Sequence, residues 1–191
     1  MNRNIIMSSE KPQIPNSLNE HWMTFTSNRD FKESPRLIVE AKGVYLKNHQ
    51  GQTQIDASSG LFCNPLGHGR EEIINAITNQ LKKLDYAQPF QQGFGGSFEL
   101  ATKISKHTPG NLNRIFYTIC GSTAVETAIK IAVAYHKARG EGHRFRFVGR
   151  ERGYQGMNIG ATSVGGMINN VKTFDYVLMP GFLHMRHTNL T

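Results

Sequence analysis

One stretch of the chain, residues 113–136, constrains the fold more than any other. It reads NRIFYTICGSTAVETAIKIAVAYH, which predicts a short buried strand, a glycine-containing loop and an amphipathic helix. The helix is predicted to open at Gly121 and Ser122, with Thr123 and Glu126 forming a capping box. Such a helix directs free N–H groups and the positive end of its dipole at one point, which suits a phosphate group. The same arrangement is also ordinary α/β architecture, so this stretch alone leaves a bound phosphate open.

The rest of the sequence excludes two common phosphate-binding motifs and indicates whether nucleic acid is a partner. No G-x-x-x-x-G-K-[ST] and no G-x-G-x-x-G occurs, which excludes a P-loop and a Rossmann fingerprint. Of the 191 residues, 38% are hydrophobic and 19% are charged, as is typical of a globular chain. The net charge of +8 would attract nucleic acid, but the basic residues form no run of that type. We therefore expect no nucleic-acid partner.

Cysteine usage and the lack of targeting segments indicate the compartment. The two cysteines form no C-x-x-C pair, which fits a reducing environment. The N-terminus has no secretory signal, and no apolar stretch approaches the roughly 20 residues that span a bilayer. The 8 histidines show no tight ligand spacing, so no metal is expected. We expect a cytoplasmic protein with no membrane partner.

Hydrophobic periodicity and turn residues predict the other elements. The predicted helices cover residues 18–34, 71–84 and 97–107. The predicted strands cover residues 37–41, 44–47, 53–57, 113–118 and 144–149, of which the first three form a small antiparallel region. The segment after the last strand is rich in glycine, which suits a loop at a site.

These elements follow the order of a known family. Six segments carry the likeness: DASSGLFCNPLGHGR, LDYAQPFQ, NRIFYTICGSTAVETAIKIAVAYHKARGEG, GRERGYQG, SVGGMINNVKTF and LMPGFLHMRHTNL. Through them the chain resembles the N-terminal part of a class III aminotransferase that depends on pyridoxal phosphate (PLP). The likeness is greatest to β-alanine (omega-amino acid):pyruvate aminotransferases, and it runs from about residue 31 to residue 190.

The resemblance implies an α/β protein of aminotransferase fold type I, the PLP-dependent transferase-like fold. It implies an incomplete parallel sheet of the large domain together with the N-terminal part of the small domain. The implied regions are a flexible N-terminus over 1–17, a small-domain segment over 18–66 and a truncated first part of the PLP-binding large domain over 67–191. In this fold the strands at 113–118 and 144–149 are not neighbours, so we expect their ladders to be unpaired.

The resemblance also implies pyridoxal 5'-phosphate as the cofactor and assigns residues to it. The cofactor phosphate would lie on Gly121 and Ser122, next to Cys120. Tyr154 would stack on the pyridine ring, which holds the ring plane, and Gln155 follows it.

Two aromatic residues are assigned to the substrate pocket in the same way. Phe62 resembles an aromatic residue that lines the pocket, and Phe90 lies in a segment near the pocket and the dimer interface. On composition alone, both would be interpreted as core residues. The resemblance implies a homodimer for the complete protein.

The chain departs from the family pattern at several of these positions. In a loop that usually reads T-N-S-G-S-E, Ile119 replaces an amide, Cys120 replaces a hydroxyl and Thr123 replaces an acid. A thiol is the weaker hydrogen-bond donor. Gln155 replaces a common histidine, and Phe62 replaces a common tryptophan. Because the Gly-Ser pair and the backbone N–H groups remain, we expect phosphate binding in weakened form.

No residue of the chain is assigned to catalysis. Transamination needs a lysine that forms a Schiff base with the cofactor and then moves a proton. After Gly156 the chain has one lysine, Lys172, and one aspartate, Asp175, and neither lies in the matching family segment. We therefore expect the 191-residue chain alone to be inactive.

Two functional hypotheses remain. The first is an N-terminal fragment of an aminotransferase that moves an amino group from an omega-amino acid (β-alanine-like) or an amine to pyruvate. The alternative is a truncated or degenerate, catalytically inactive homologue that acts at most as a dimerisation partner. The departures at Ile119, Cys120, Thr123 and Gln155 favour the alternative.

Overall fold

The computed structural model describes residues 14–189, which belong to two compact units, Met1–Gly93 and Phe94–Thr191. Most of the predicted flexible N-terminus, residues 1–13, lies outside the described residues, as do residues 190–191. The predicted domain boundary after residue 66 stays a prediction.

The first unit contains a three-stranded antiparallel sheet with the strand order β1–β2–β3. The strands are β1 (Ile38–Lys42), β2 (Tyr45–Asn48) and β3 (Thr53–Ile55). Gly43 has a φ of 57°, which a two-residue reversal between β1 and β2 requires. The predicted small antiparallel region is confirmed.

The same unit contains α1 (Asn28–Glu33), a single helical turn α2 (Ser59–Phe62) and α3 (Glu71–Lys83). The helix predicted at 71–84 is confirmed as α3. The prediction of one helix over 18–34 is wrong in its first part. Leu18 and Phe25 have φ values of 61° and 49°, which interrupt a right-handed ladder.

In the second unit, two helices precede the first strand of a two-stranded sheet, and two more lie between its strands in the sequence. Its elements are α4 (Gly95–Ser105), α5 (Gly121–Ala138), β4 (Phe147–Arg150), α6 (Ile159–Val164), α7 (Ile168–Phe174), a 3-10 turn (Asp175–Val177) and β5 (Phe182–Met185). The predicted helices at 97–107 and after residue 120 are confirmed as α4 and α5. No helix among the described residues is both long enough and apolar enough to cross a membrane.

The parallel sheet of this unit joins β4 to β5. Phe147 of β4 stacks on Phe182 of β5, with 5.3 Å between ring centroids. The prediction that the strand at 144–149 lacks a ladder is therefore wrong, because β5, which the sequence did not predict, lies beside it. Residues 113–118 form no strand, since no ladder partner lies beside them in the part of the chain that the structure describes.

Small residues form the buried core of the second unit around α6. Ala161 is 0% exposed and Ser163 is 1% exposed. A Cβ added to the buried Gly149 of β4 would overlap the carbonyl of Val164, so the two backbones pack directly on each other. The glycine-rich segment predicted as a loop is thus partly helical, and its small residues let α6 approach β4.

Candidate functional site

The N-terminus of α5 directs three N–H groups away from its own ladder. The helix begins at Gly121, and Cys120 is its N-cap residue. The first backbone bond runs from the Ala124 N–H to the Cys120 carbonyl at 3.0 Å, so the N–H groups of Gly121, Ser122 and Thr123 precede that bond. They lie at the positive end of the helix dipole. A Cβ added to Gly121 would meet no atom within 4 Å, which leaves room for a ligand.

The Ser122 hydroxyl joins α5 to the loop after β4. Its Oγ accepts a hydrogen bond from the Met157 N–H at 2.9 Å. Gly156 is buried, and its φ of 129° favours glycine. A Cβ at that position would lie 2.7 Å from Ser122 Oγ and 2.8 Å from Ser122 Cα. The close approach therefore requires glycine, and the Ser122 proton remains available to donate.

This contact brings the loop that carries Tyr154 and Gln155 to the start of α5. The side chain of Tyr154 is 58% exposed. Both residues line a small cleft together with Gly153, Gly156, Thr162 and Asn170. Neither side chain has a hydrogen-bond partner within residues 14–189, so both are available to a ligand.

The predicted capping box of Thr123 and Glu126 is wrong, and the carboxylate of Glu126 serves α6 instead. Glu126 Oε1 accepts hydrogen bonds from the Gly160 N–H at 2.8 Å and the Ala161 N–H at 3.3 Å. Both donors are in the first turn of α6, where N–H groups have no partner in their own helix. Because those groups are buried, they need an acceptor, and Glu126 supplies it from α5.

Two departures from the family pattern contact each other. Cys120 Sγ lies 3.3 Å from Thr123 Oγ1. Hydrogen bonds from the Thr123 hydroxyl, and then from the Thr123 backbone N–H, hold the pKa of the Cys120 thiol below its ordinary value of 9.0. This end of α5 therefore stabilises negative charge, which is the property that a phosphate site needs.

The two residues predicted to line the substrate pocket are in the first unit. Phe62 is 85% exposed and Phe90 is 79% exposed. Their interpretation as core residues, which composition alone suggested, is wrong. Both aromatic rings are available for contact, and their place in a substrate pocket stays a prediction.

The roles of several residues that build this arrangement are not predictable from local sequence patterns. Besides Glu126, Ser163 links two segments: its hydroxyl donates to the Ile159 carbonyl at 2.6 Å and accepts from the Met179 N–H at 2.9 Å. The signal was the run of small residues over 156–166, GMNIGATSVGG, which close backbone packing requires. No cluster of three or more His, Cys, Asp or Glu side chains that could hold a metal occurs among the described residues.

Curated proteins similar to this chain include omega-aminotransferases. The aminotransferase class-III family matches residues 26–189. The omega-aminotransferase of Caulobacter vibrioides is 44% identical over 174 residues, which make up 91% of this chain and 39% of that protein. The omega-amino acid–pyruvate aminotransferase of Pseudomonas putida is 44% identical over 173 residues, 91% of this chain and 38% of that protein. The chain thus spans less than half the length of these relatives.

Solved structures of omega-transaminases share the fold of this chain. The omega transaminase of Pseudomonas jessenii in complex with PMP has a TM-score of 0.83 and 30% identity, covering 87% of this chain and 37% of that one. An (S)-enantioselective omega-transaminase of Thermomicrobium roseum has a TM-score of 0.83 and 28% identity, covering 87% and 38%. The predicted fold class is confirmed: the chain is α/β and carries part of this fold. With a family match over most of its length, the chain belongs to the class-III aminotransferases.

Proposed function

We propose that this chain contributes part of the PLP site of an aminotransferase that moves an amino group from an omega-amino acid or amine to pyruvate. One contact carries the proposal, the hydrogen bond from the Met157 N–H to Ser122 Oγ. It joins a helix end suited to phosphate to the loop with an exposed tyrosine. The names of the relatives support the substrate class, because they include an omega-amino acid–pyruvate aminotransferase.

The residues at the start of α5 fit the phosphate of PLP. The N–H groups of Gly121 and Ser122 and the Ser122 hydroxyl would bind the phosphate oxygens, with Cys120 beside them. Tyr154 would lie on the face of the pyridine ring, and Gln155 would donate a hydrogen bond. Bound there, PLP supplies the electron sink that amino-group transfer needs.

The residues of this chain would bind and orient, and none is assigned to proton transfer. Gly156 holds the Tyr154 loop against α5, so ring and phosphate contacts would form together. Phe62 and Phe90 would contribute apolar surface to the pocket for the amino donor. We further propose a cytoplasmic homodimer, in keeping with the family resemblance and the cysteine usage.

Titration with PLP tests the phosphate assignment directly. We expect Ser122→Ala to weaken PLP binding about tenfold or more, since a charge-assisted hydrogen bond contributes about 1.5–3 kcal/mol. Binding is followed by the absorbance of the cofactor and by equilibrium dialysis. The matched control is Ser105→Ala, which removes a hydroxyl that bonds only the Thr102 carbonyl on α4. Equal binding by the two variants would contradict the assignment.

Alkylation of Cys120 provides a second test that does not depend on activity. The chain has 2 cysteines, so the substitution Cys63→Ser leaves Cys120 as the thiol that reacts. We expect its alkylation rate to reach half-maximum below pH 9.0, because Thr123 lowers the pKa of the thiol. The substitution Thr123→Val should move this midpoint to higher pH. Added PLP should slow the reaction. Unchanged alkylation at saturating PLP would rule out a phosphate beside Cys120.

The departures from the family pattern at Ile119, Cys120, Thr123 and Gln155 favour a second candidate, an inactive homologue. The intact mass of the protein from its own source separates the two. A mass well above 21.4 kDa, with transfer of an amino group from β-alanine to pyruvate, would support the aminotransferase. A mass near 21.4 kDa with no PLP binding would support the inactive homologue.

A further inference from the structure

The turn α2 has a conformation that its side chains do not favour. Four consecutive residues have positive φ: Ser59 at 50°, Gly60 at 60°, Leu61 at 58° and Phe62 at 68°. Only glycine adopts this left-handed region without steric conflict between Cβ and the backbone. Three of the four residues carry a Cβ, so surrounding contacts must hold the turn in place.

Backbone hydrogen bonds from the Phe62 N–H to the Ser58 carbonyl at 2.9 Å and from the Asn64 N–H to the Ser59 carbonyl at 2.8 Å are two of those contacts, and the Asp56 side chain makes the others. One carboxylate oxygen, Oδ1, accepts hydrogen bonds from the Gly60 N–H and the Ser58 hydroxyl, each at 3.2 Å. The other oxygen, Oδ2, lies 3.1 Å from His68 Nε2, and the Asp56 side chain is 7% exposed. The carboxylate therefore bonds the strained turn with one oxygen and a histidine outside it with the other.

His68 is in turn fastened to the sheet of the same unit. The backbone N–H of His68 donates to the Gly43 carbonyl at 2.8 Å, and the His68 carbonyl accepts from the Gly43 N–H at 2.9 Å. Gly43 forms the reversal between β1 and β2. The Asp56–His68 pair thus connects α2 to a rigid part of the first unit.

The turn presents large apolar side chains outward. Leu61 is 74% exposed and Phe62 is 85% exposed. Because these two side chains are exposed, burial of apolar surface does not offset the backbone strain of the turn. Backbone strain that the surroundings maintain in this way is concentrated at ligand-binding sites.

We propose that Asp56 and His68 are positioning residues, which hold α2 in its left-handed form so that Phe62 meets the apolar part of the amino donor. The part that concerns the donor rests on the aminotransferase function proposed above. The part that concerns the turn does not, because its contacts all lie within the first unit.

The thiol of Cys63 reports on the turn without any need for activity. Cys63 follows Phe62, is exposed, and its Sγ lies 3.6 Å from the Leu61 carbonyl. In a Cys120→Ser chain, we expect Asp56→Ala to raise the alkylation rate of Cys63 about fivefold or more, since the turn then opens. His68→Ala should act in the same direction, and His68→Gln, whose amide can still donate to Asp56, should act less.

A glycine rescue separates positioning from a general loss of structure. Ser59→Gly removes a Cβ from the left-handed turn, so the turn needs less support. We expect Ser59→Gly to return the Cys63 rate of Asp56→Ala to within about twofold of the parent. The matched control is Asp30→Ala, which removes an aspartate of the same unit that bonds Ser27. An unchanged rate in Asp56→Ala, or no rescue by glycine, would overturn the role of the pair.

The donor contact is tested in the transamination reaction of the intact protein. We expect Asp56→Ala to raise KM for β-alanine about tenfold with kcat nearly unchanged, as loss of a wall that binds substrate and transition state equally would do. Ser59→Gly should restore KM. A changed Cys63 rate with an unchanged KM would overturn the donor contact. If the intact protein from its own source showed no transamination, the proposed function and the donor contact would both be overturned, and the Cys63 rates would still decide the role of the pair.

Discussion

Gly156→Ala is expected to abolish PLP binding and to destabilise the second unit. The alanine Cβ would lie 2.7 Å from Ser122 Oγ and 2.9 Å from Ala161 Cβ, at a φ of 129° that alanine does not favour. Both Ser122 and Ala161 belong to packed helices, so neither can withdraw without moving backbone. We expect a loss of stability of about 3 kcal/mol, from steric overlap combined with backbone strain.

The measurement combines PLP titration with amide hydrogen exchange over α6. Separation of the Tyr154 loop from α5 should raise exchange at Ala161 and remove the absorbance change of bound cofactor. The matched control is Gly142→Ala, where an added Cβ meets no atom within 4 Å. If Gly156→Ala bound PLP within about twofold of the parent, the proposed contact between loop and helix would not form part of the site.

Glu126→Ala is expected to release α6 from α5. The substitution removes the acceptor for the N–H groups of Gly160 and Ala161, and Ala161 is 0% exposed. Two buried donors without a partner cost about 2–6 kcal/mol together. Glu126→Gln keeps an acceptor oxygen, so its effect should be clearly smaller.

Hydrogen exchange at the Gly160 and Ala161 amides measures the loss of the Glu126 acceptor directly. We expect faster exchange in Glu126→Ala, and no change in Glu99→Ala, whose side chain on α4 makes no hydrogen bond or ion pair within the described residues. Gly160→Ala supplies an independent check, because its Cβ would lie 2.8 Å from Glu126 Oε2 and displace the same carboxylate. The effects of the two substitutions should therefore not add. Additive effects would show that Glu126 does not act through α6.

Several elements were predictable because their signals are local. The helices α3, α4 and α5 each contain an apolar periodicity, and α3 also begins with acids and ends with lysines. The antiparallel sheet was predictable from short alternating segments around turn residues. Fold class and family followed from six ordered segments, and the start of α5 at Gly121 followed from its Gly-Ser pair. The signal of each helix and of each strand pair lies within about 20 positions, where neighbours in sequence are neighbours in space, whereas the family followed from the order of segments along the chain.

The sequence by itself therefore determined the family, the main helices and the candidate phosphate contacts at Gly121 and Ser122. Only the tertiary structure decided the partners of Glu126 and Ser122, since their donors lie 34 and 35 residues away. It also decided that β5 pairs with β4 and that α2 is left-handed. A hydrogen-bond acceptor serves whichever buried donor the packed chain brings to it, and a strained turn persists only where distant groups hold it. The local pattern of residues predicts neither condition, because both depend on contacts between segments that are far apart in the chain.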